Sequence, residues 1–348
     1  MPGRQAYLIL KEILEEEEAV KLTLEVASRC LEEVAPCLHS ANFTYFTGSG
    51  TSYHASIVGQ YALSRLASSF SSSVPASEFS QWASVKGPET LVVAISRSGE
   101  TSDTLEAAEY ARSHGAKVLA LTNTPGSSLA SVSHFILLTG AGEERSGVAT
   151  KTYVSQLVAL CLFSAFIGEI KGRGEAVRLK SILNELPGKV GETVRLSGEQ
   201  ARRLAEEHSE AEFFFVLGSG PNYATALEAA LKLKEVAGVF AEGFSTREFL
   251  HGPMHLVDEK TTVIILLPPQ EQADTCVDLA SRLEKLGSRV ITVADREVGS
   301  ENQLLAPINN PILSPIFFII PLQLLSCYLS LAREGKGELR SEVETSGY

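Results

Sequence analysis

Residues 215–231 read FVLGSGPNYATALEAAL, and 170 positions earlier residues 45–61 read YFTGSGTSYHASIVGQY. Each is an apolar run that breaks on Gly-Ser-Gly and continues into a helical pattern, with Gly218 and Gly220 standing 170 residues after Gly48 and Gly50. A second pair of stretches keeps the spacing. VIILLPPQEQADTCVDLASRLEKLGSRVITVAD (263–295) echoes VVAISRSGETSDTLEAAEYARSHGAKVLALTN (92–123), and Asp274 and Thr275 follow Asp103 and Thr104 by 171 residues. A third pair, SQLVALC (155–161) and LQLLSC (322–327), comes at a slightly shorter offset. Three landmarks in one order mean two tandem copies of one unit.

Within the first copy the apolar runs FTYF (43–46), LVVAI (91–95), VLALTN (118–123) and FILLTG (135–140) alternate with helical patterns. That alternation predicts an α/β fold of two doubly wound units, each a mostly parallel sheet flanked by helices. The expected divisions are a helical leader over 1–44, a first unit over 45–170, a helical linker over 171–212, a second unit over 213–332 and a tail over 333–348. The leader shows apolar positions Leu8, Leu10, Ile13, Leu14, Val20, Leu24 and Val26 at the spacing of one buried helix face.

Length and composition narrow the function. The 348 residues suit two domains of about 150 each. A net charge of −12 argues against a broad nucleic-acid or anionic-membrane surface, while leaving room for one pocket that takes an anionic metabolite. The five cysteines, Cys30, Cys37, Cys161, Cys276 and Cys327, include no C-x-x-C pair and sit mostly among apolar residues. They are expected to be reduced, in a cytoplasmic protein without a thiolate metal site. The N-terminal MPGRQAYLILKEILEEEEAVK lacks the pattern of a signal peptide. Gln303–Ala332 carries no charge over thirty positions, long enough to span a bilayer. Pro307, Pro311, Pro315 and Pro321 are expected to break it and leave PLQLLSCYLSLA as a buried helix.

The turn SRSGET (96–101) lies between the run LVVAI and a helix. Such a turn presents backbone N–H groups at the positive end of the helix, and Ser96, Ser98 and Thr101 add neutral donors, a set suited to phosphate. One serine would be an ordinary helix cap; three hydroxyls exceed that need. In a parallel sheet the turn GSGTS (48–52) would face the same crevice. The second copy has LLPPQEQAD at the equivalent place, without the hydroxyls. Neither GSGTSYHA nor GSGPNYAT carries the third glycine of a dinucleotide fingerprint.

In LEAALKLKEVAGVFAEG (227–243), Glu228, Lys232 and Glu235 fall on one helical stripe among apolar residues. The plain reading is a solvated stripe with an i,i+4 ion pair. A carboxylate held against apolar surface would instead suit acid–base work, with Glu235 the candidate. His251 precedes Gly-Pro in an expected turn and could shuttle protons. His251 and His255 are not expected to bind metal, because Pro253 interrupts a regular helix between them.

GSGTSYHA, ISRSGETSDT, TNTPGSSLA, SGVATKTY, LEAALKLKE, FLHGP and PIFFIIPLQLL, in order from about Tyr45 to Ala332, resemble the tandem sugar isomerase (SIS) domains. That family is shared by the isomerase half of glutamine:fructose-6-phosphate amidotransferase and by SIS-type glucosamine-6-phosphate deaminases. The resemblance implies that Ser49, Thr51, Ser52, Ser96, Ser98 and Thr101 hold a sugar phosphate, and that Val148 and Ala149 line the sugar. It implies that Glu235 moves a proton between C1 and C2, that Lys232 supports the site, and that His251, from a partner subunit, assists ring opening.

Three departures stand out. The chain opens on MPGRQAY without a glutaminase domain's N-terminal cysteine, so glutamine hydrolysis is not expected of it. Ser341 stands roughly where the synthase tail has its Schiff-base lysine, with Lys336 as an alternative lysine. Arg97 replaces the glutamine usual in the synthase turn and is expected to strengthen anion binding. The expectation is a homodimeric deaminase of glucosamine 6-phosphate with its site near the subunit interface. It would need no metal or organic cofactor and no nucleic-acid or membrane partner. The alternatives are a synthase-like isomerase, a deglycase of a phosphorylated Amadori product, and a phosphosugar-binding regulator.

Overall fold

The computed structural model describes residues 2–38, 41–267, 273–308 and 310–334. Two helices, α1 (Pro2–Leu14) and α2 (Glu16–Leu38), precede the first sheet. Its strands are β1 (Phe43–Gly48), β2 (Phe70–Pro75), β3 (Thr90–Ile95), β4 (Lys117–Thr122) and β5 (Phe135–Leu138). Between them lie α3 (Thr51–Ala67), α4 (Ala76–Trp82), α5 (Ser102–Ser113) and α6 (Ser128–Val132), and the apolar α7 (Lys151–Ile170) follows. After α8 (Gly174–Ile182) and α9 (Leu186–Glu207) comes the second sheet, β6 (Phe213–Gly218), β7 (Phe240–Ser245), β8 (Thr261–Leu266), β9 (Arg289–Ala294) and β10 (Gln303–Leu305). Its helices are α10 (Asn222–Lys232), α11 (Ala273–Lys285) and α12 (Ser314–Glu334).

Both sheets are wholly parallel and share one strand order. The first runs β2-β1-β3-β4-β5 and the second β7-β6-β8-β9-β10, so the duplication read in the sequence is a duplication of topology. The central strands β3 and β8 are buried at every position, which is why LVVAI and TTVIIL read as continuous apolar runs rather than as alternations. The edge strand FSSSVP (β2) has no buried residue and carries three serines, so no apolar pattern announced it. In each order the chain reverses between its first and third strands, the place where open parallel sheets as a rule take their ligands.

The proline-rich C-terminal run differs from expectation. Instead of a dozen-residue helix from Pro321, α12 spans Ser314–Glu334 with Pro321 inside it. Pro315 sits in the first turn, where no N–H is needed. Pro321 forgoes one helical hydrogen bond, a cost of about 3 kcal/mol in an isolated helix. Burial offsets that cost, because Ile316 to Leu325 are enclosed on every side. Helix α7 and the segment Pro311–Glu334 are each long and apolar enough to cross a membrane, yet both are mostly buried within the fold.

The leader is more than an appendage. Its buried face, including Ile9, Ile13, Val20, Ala27 and Leu31, joins α7, α9 and α12 in one core that both sheets share. It also carries a buried acid, Glu16, whose two carboxyl oxygens have no hydrogen-bond partner. Burial first, and the nearby Glu144 carboxylate second, push the Glu16 pKa well above the usual carboxylate range, with the Gln323 amide opposing. The fold therefore keeps this proton over a pH range in which the unfolded chain has released it. Stability falls as pH climbs from the ordinary value of 4.5 toward the folded value. Glu16→Gln is expected to raise the melting temperature at about pH 8 by about 2 °C or more, and to leave it unchanged at about pH 4. Thermal unfolding at the two pH values checks this; no gain at the higher pH refutes it.

Candidate active site

Gly48 and Ile95, the last residues of β1 and β3, are partners across the sheet. The turns GSGTS and SRSGET therefore leave adjacent strand ends at the point where the strand order reverses. A Cβ on Gly48 would come within 2.9 Å of the Ile95 carbonyl and of Ser52. Only glycine lets the two turns approach so closely.

The start of α5 is not an ordinary capped terminus. Thr101 occupies the cap position, but its hydroxyl caps nothing; it faces the Ser96 hydroxyl at 3.0 Å. Gly50, at the cap of α3, has no side chain to offer. Both helices thus begin without a side-chain cap, in the state that favours an anion. Hydrogen counting identifies the donors. Ser96 Oγ accepts from the Gly99 N–H at 3.1 Å, and one hydrogen in the Ser96–Thr101 pair remains uncommitted. Ser98 Oγ accepts from the Glu100 N–H, and Ser52 Oγ accepts from the Gln156 amide at 3.2 Å, so each keeps its own hydrogen to donate. Ser49 Oγ is buried with no partner. Glu100, the one acid in the turn, points its carboxylate at the Ser128 N–H of α6 at 2.8 Å.

Two expected phosphate ligands are placed differently. The Thr51 hydroxyl donates to Glu228 Oε1 at 2.9 Å, so its hydrogen is already committed. Arg97 Nη1 lies 3.1 Å from the buried carboxylate of Glu144, which compensates the cation that the sequence reading had assigned to an anion. Glu144 also accepts from Thr150 and Thr152, and Glu12 of α1 accepts from the Arg145 and Ser146 N–H groups. These carboxylates pin the loop that carries buried Val148 and half-buried Ala149.

The second copy brings its stripe of charge against the first. The solvated-stripe reading fails, because the side chains of Glu228 and Lys232 are 0% and 1% exposed. Lys232 Nζ lies 2.6 Å from Glu235 Oε2, 3.3 Å from Glu228 Oε1 and 3.4 Å from Thr51 Oγ1. The helix does not continue regularly to Glu235; it widens into a π-turn over Leu233–Ala237 that ends on Gly238 in the left-handed conformation. Such widening often marks functional positions. The Glu235 side chain is 40% exposed and so remains accessible to a ligand.

Burial alone would discharge Lys232, but Glu228 and then Glu235 reverse the effect and hold its pKa above the usual value. Burial would likewise protonate Glu228, and Lys232 with His54 outweighs it and lowers its pKa. His54 Nδ1 lies 2.7 Å from Glu228 Oε2. His251 lies exposed on the short helical turn Glu248–His251 and makes no hydrogen bond to Lys232 or Glu235. The turn PPQEQ and the tail with Lys336 and Ser341 lie outside the described residues.

Glu228, His54, Gln156, Glu144 and Glu12 escaped the sequence reading as site residues. A signal for two of them was present in the repeat. At the 170-residue offset, Glu228 stands where the first copy has Val58, Lys232 where it has Ala62, and His54 where the second copy has Ala224. Polar residues that one copy has and the other replaces with apolar ones are those the shared fold does not require.

The SIS domain profile matches residues 37–165 and 209–333. The chain belongs to the SIS domain family. A glutamine–fructose-6-phosphate aminotransferase (isomerizing) of Thermococcus kodakarensis is 36% identical over 334 residues, covering 94% of this chain and 55% of the relative. This SIS chain thus spans about half the length of the curated relatives it matches. The C-terminal domain of glucosamine-fructose-6-phosphate aminotransferase from Francisella tularensis superposes with a TM-score of 0.87 at 29% identity, covering 94% of this chain and 96% of that one. A glucosamine-6-phosphate deaminase from Thermotoga maritima shares the fold, with a TM-score of 0.76 at 24% identity and coverage of 94% and 95%.

Gly99 shapes the turn SRSGET. It has φ +69°, and a Cβ there would collide with Ser127. Gly99→Ala is expected to destabilise the fold by about 2 kcal/mol. It should also weaken the binding of inorganic phosphate by about tenfold or more. Chemical denaturation and calorimetry check the two effects; wild-type phosphate binding in a folded variant refutes the cradle assignment.

Proposed function

We propose that this SIS protein is an enzyme acting at C1 and C2 of a phosphorylated amino sugar, and that it deaminates glucosamine 6-phosphate to fructose 6-phosphate and ammonia. One observation carries the reading. Lys232 joins Glu235, an accessible carboxylate, to Thr51 in the turn that faces the cradle. A proton-transfer group and an anion anchor thus meet across the two copies.

In this reading the cradle fixes the phosphate through Ser49, Ser52, Ser96, Ser98 and Thr101 and the starts of α3 and α5. Glu235 takes the proton from C2 of the open-chain aldehyde, giving an enolamine. It returns the proton to C1, which leaves an imine at C2, and water then releases ammonia and the ketose. The protonated Lys232 stabilises negative charge as it develops beside Glu235. Ring opening is assigned to His251, supplied in a dimer by the partner subunit.

The same proton transfer run in reverse would incorporate ammonia. This second reading is favoured by the relatives at 33–36% identity that are named as aminotransferases. The four described cysteines are free, and burial pushes Cys161 and Cys327 to about 12, which suits a reduced cytoplasmic compartment.

Incubation with glucosamine 6-phosphate should release ammonia and fructose 6-phosphate in equal amounts. Glu235→Gln should lower kcat by about a hundredfold or more while sparing the affinity for inorganic phosphate. Ser98→Ala with Thr101→Ala should chiefly raise KM, by about tenfold. An unchanged rate in Glu235→Gln sinks the proton-transfer assignment. Binding without turnover of any amino sugar phosphate, in either direction, points to a phosphosugar-binding regulator.

A further inference from the structure

Glu228 has no step in the chemistry above, yet its carboxylate is the most enclosed charge at the site. Oε1 receives the Thr51 hydroxyl at 2.9 Å and faces Lys232 Nζ at 3.3 Å, while Oε2 lies 2.7 Å from His54 Nδ1. Thr51 and His54 belong to the first turn of α3, in the first copy; Lys232 ends α10, in the second.

We propose that Glu228 is a positioning residue: its carboxylate locks the first turn of α3, through Thr51 and His54, to the ammonium of Lys232, and so sets Glu235 in register with the phosphate anchor. The inference rests on the sugar-phosphate reading above and names what aligns its two halves.

Packing gives no reason for a charge here. Glu228 is fully buried on a helix whose Ala226, Ala229 and Ala230 are buried too, and burying an apolar side chain there would not desolvate a carboxylate. The first copy does so, with Val58 buried at the equivalent position. Geometry also shows what the charge accomplishes. Lys232 is shared between two carboxylates, and the nearer is Glu235 at 2.6 Å. Without Glu228 the ammonium would have Glu235 as its sole anionic partner and no tie through that carboxylate to Thr51. Two acids thus share one ammonium, and Glu228 ties that ammonium to the first turn of α3 as well as to Glu235. His54, whose side chain is 14% exposed, completes the clamp from the solvent side.

The test is Glu228→Gln, which keeps the volume and removes the charge. With glucosamine 6-phosphate as substrate, kcat should fall by about tenfold or more, while affinity for inorganic phosphate changes by less than about threefold. Lys232, having lost a counter-charge, should release its proton more readily, so the alkaline limb of kcat against pH should move down by about half a unit or more. Glu228→Asp, with the charge on a shorter arm, should restore the alkaline limb but only part of kcat. A kcat within about twofold of wild type together with an unmoved alkaline limb overturns the proposal.

The same displacement can be read without turnover, by carbon-13 NMR of labelled lysines with Lys232 assigned through Lys232→Met. A lower titration midpoint for Lys232 in Glu228→Gln supports the clamp even where the wild type turns over no amino sugar phosphate, an outcome that defeats the enzymatic reading alone. An unmoved midpoint overturns the clamp whatever the turnover. Should Glu228→Gln not fold, His54→Ala removes one anchor from a side chain that is only 14% exposed. It should lower kcat by about threefold or more at unchanged phosphate affinity, and wild-type kcat in that variant overturns the proposal.

Discussion

The buried pair of Glu228 and Lys232 is the constraint around which the two halves of the chain are arranged. Two charges removed from water cost several kcal/mol each, and their mutual attraction repays this only when every remaining donor and acceptor is satisfied. Thr51, His54 and Glu235 supply that satisfaction, two from one copy and one from the other. The pair can therefore exist only when the first turn of α3 and the end of α10 are packed together. Packing of the two copies and assembly of the site become one event, and a chain with its copies apart would expose the cost without the compensation.

Duplication made that arrangement possible because the copies diverged in complementary ways. The first kept a hydroxyl-lined turn at the reversal of its strand order and filled the facing helix with Val58 and Ala62. The second acquired Glu228 and Lys232 at those two helix positions and put Pro221 where the first has Thr51. Each copy provides what the other replaced. The shared core of α2, α7, α9 and α12 fixes their relative placement, so that the turn GSGTS of one copy meets the end of α10 of the other.

Much of the fold was legible because burial on both faces leaves a plain record. The runs LVVAI, VLALT and FVLG became strands where expected, and the repeat offset gave the duplicate topology. What the sequence hid was structure held by something other than apolar pattern. The strand FSSSVP reads as a polar loop because it lies at an edge, and the Pro321 helix reads as broken because burial, not local propensity, sustains it. The site was legible to a different degree. Ser96, Ser98 and Thr101 stood out as candidates because they exceed what a helix start requires, and the structure places them together at the end of β3. Glu228 passed for a solvated charge because an i,i+4 acid–base pair looks the same on a surface as in a core. The partner of Arg97 was hidden for a related reason: the buried Glu144 that faces it lies 47 residues away in sequence.

In the proposed reading, with Arg97 paired to Glu144 and Lys232 to two carboxylates, hydroxyls and helix termini would be the cradle's means of holding a dianion. Neutral donors of this kind do not titrate near neutrality, so their hold is constant across the pH range in which a carboxylate and an ammonium do their work. They also leave the field of the site to the proton-transfer groups. An added free cation next to the phosphate would lower the basicity of a nearby carboxylate and draw the ligand into a deeper ground state, without favouring the transition state over the substrate. In that reading the pairing of Arg97 would let the anchor grip one end of the molecule while the charge that responds to chemistry is confined to Lys232 at the other.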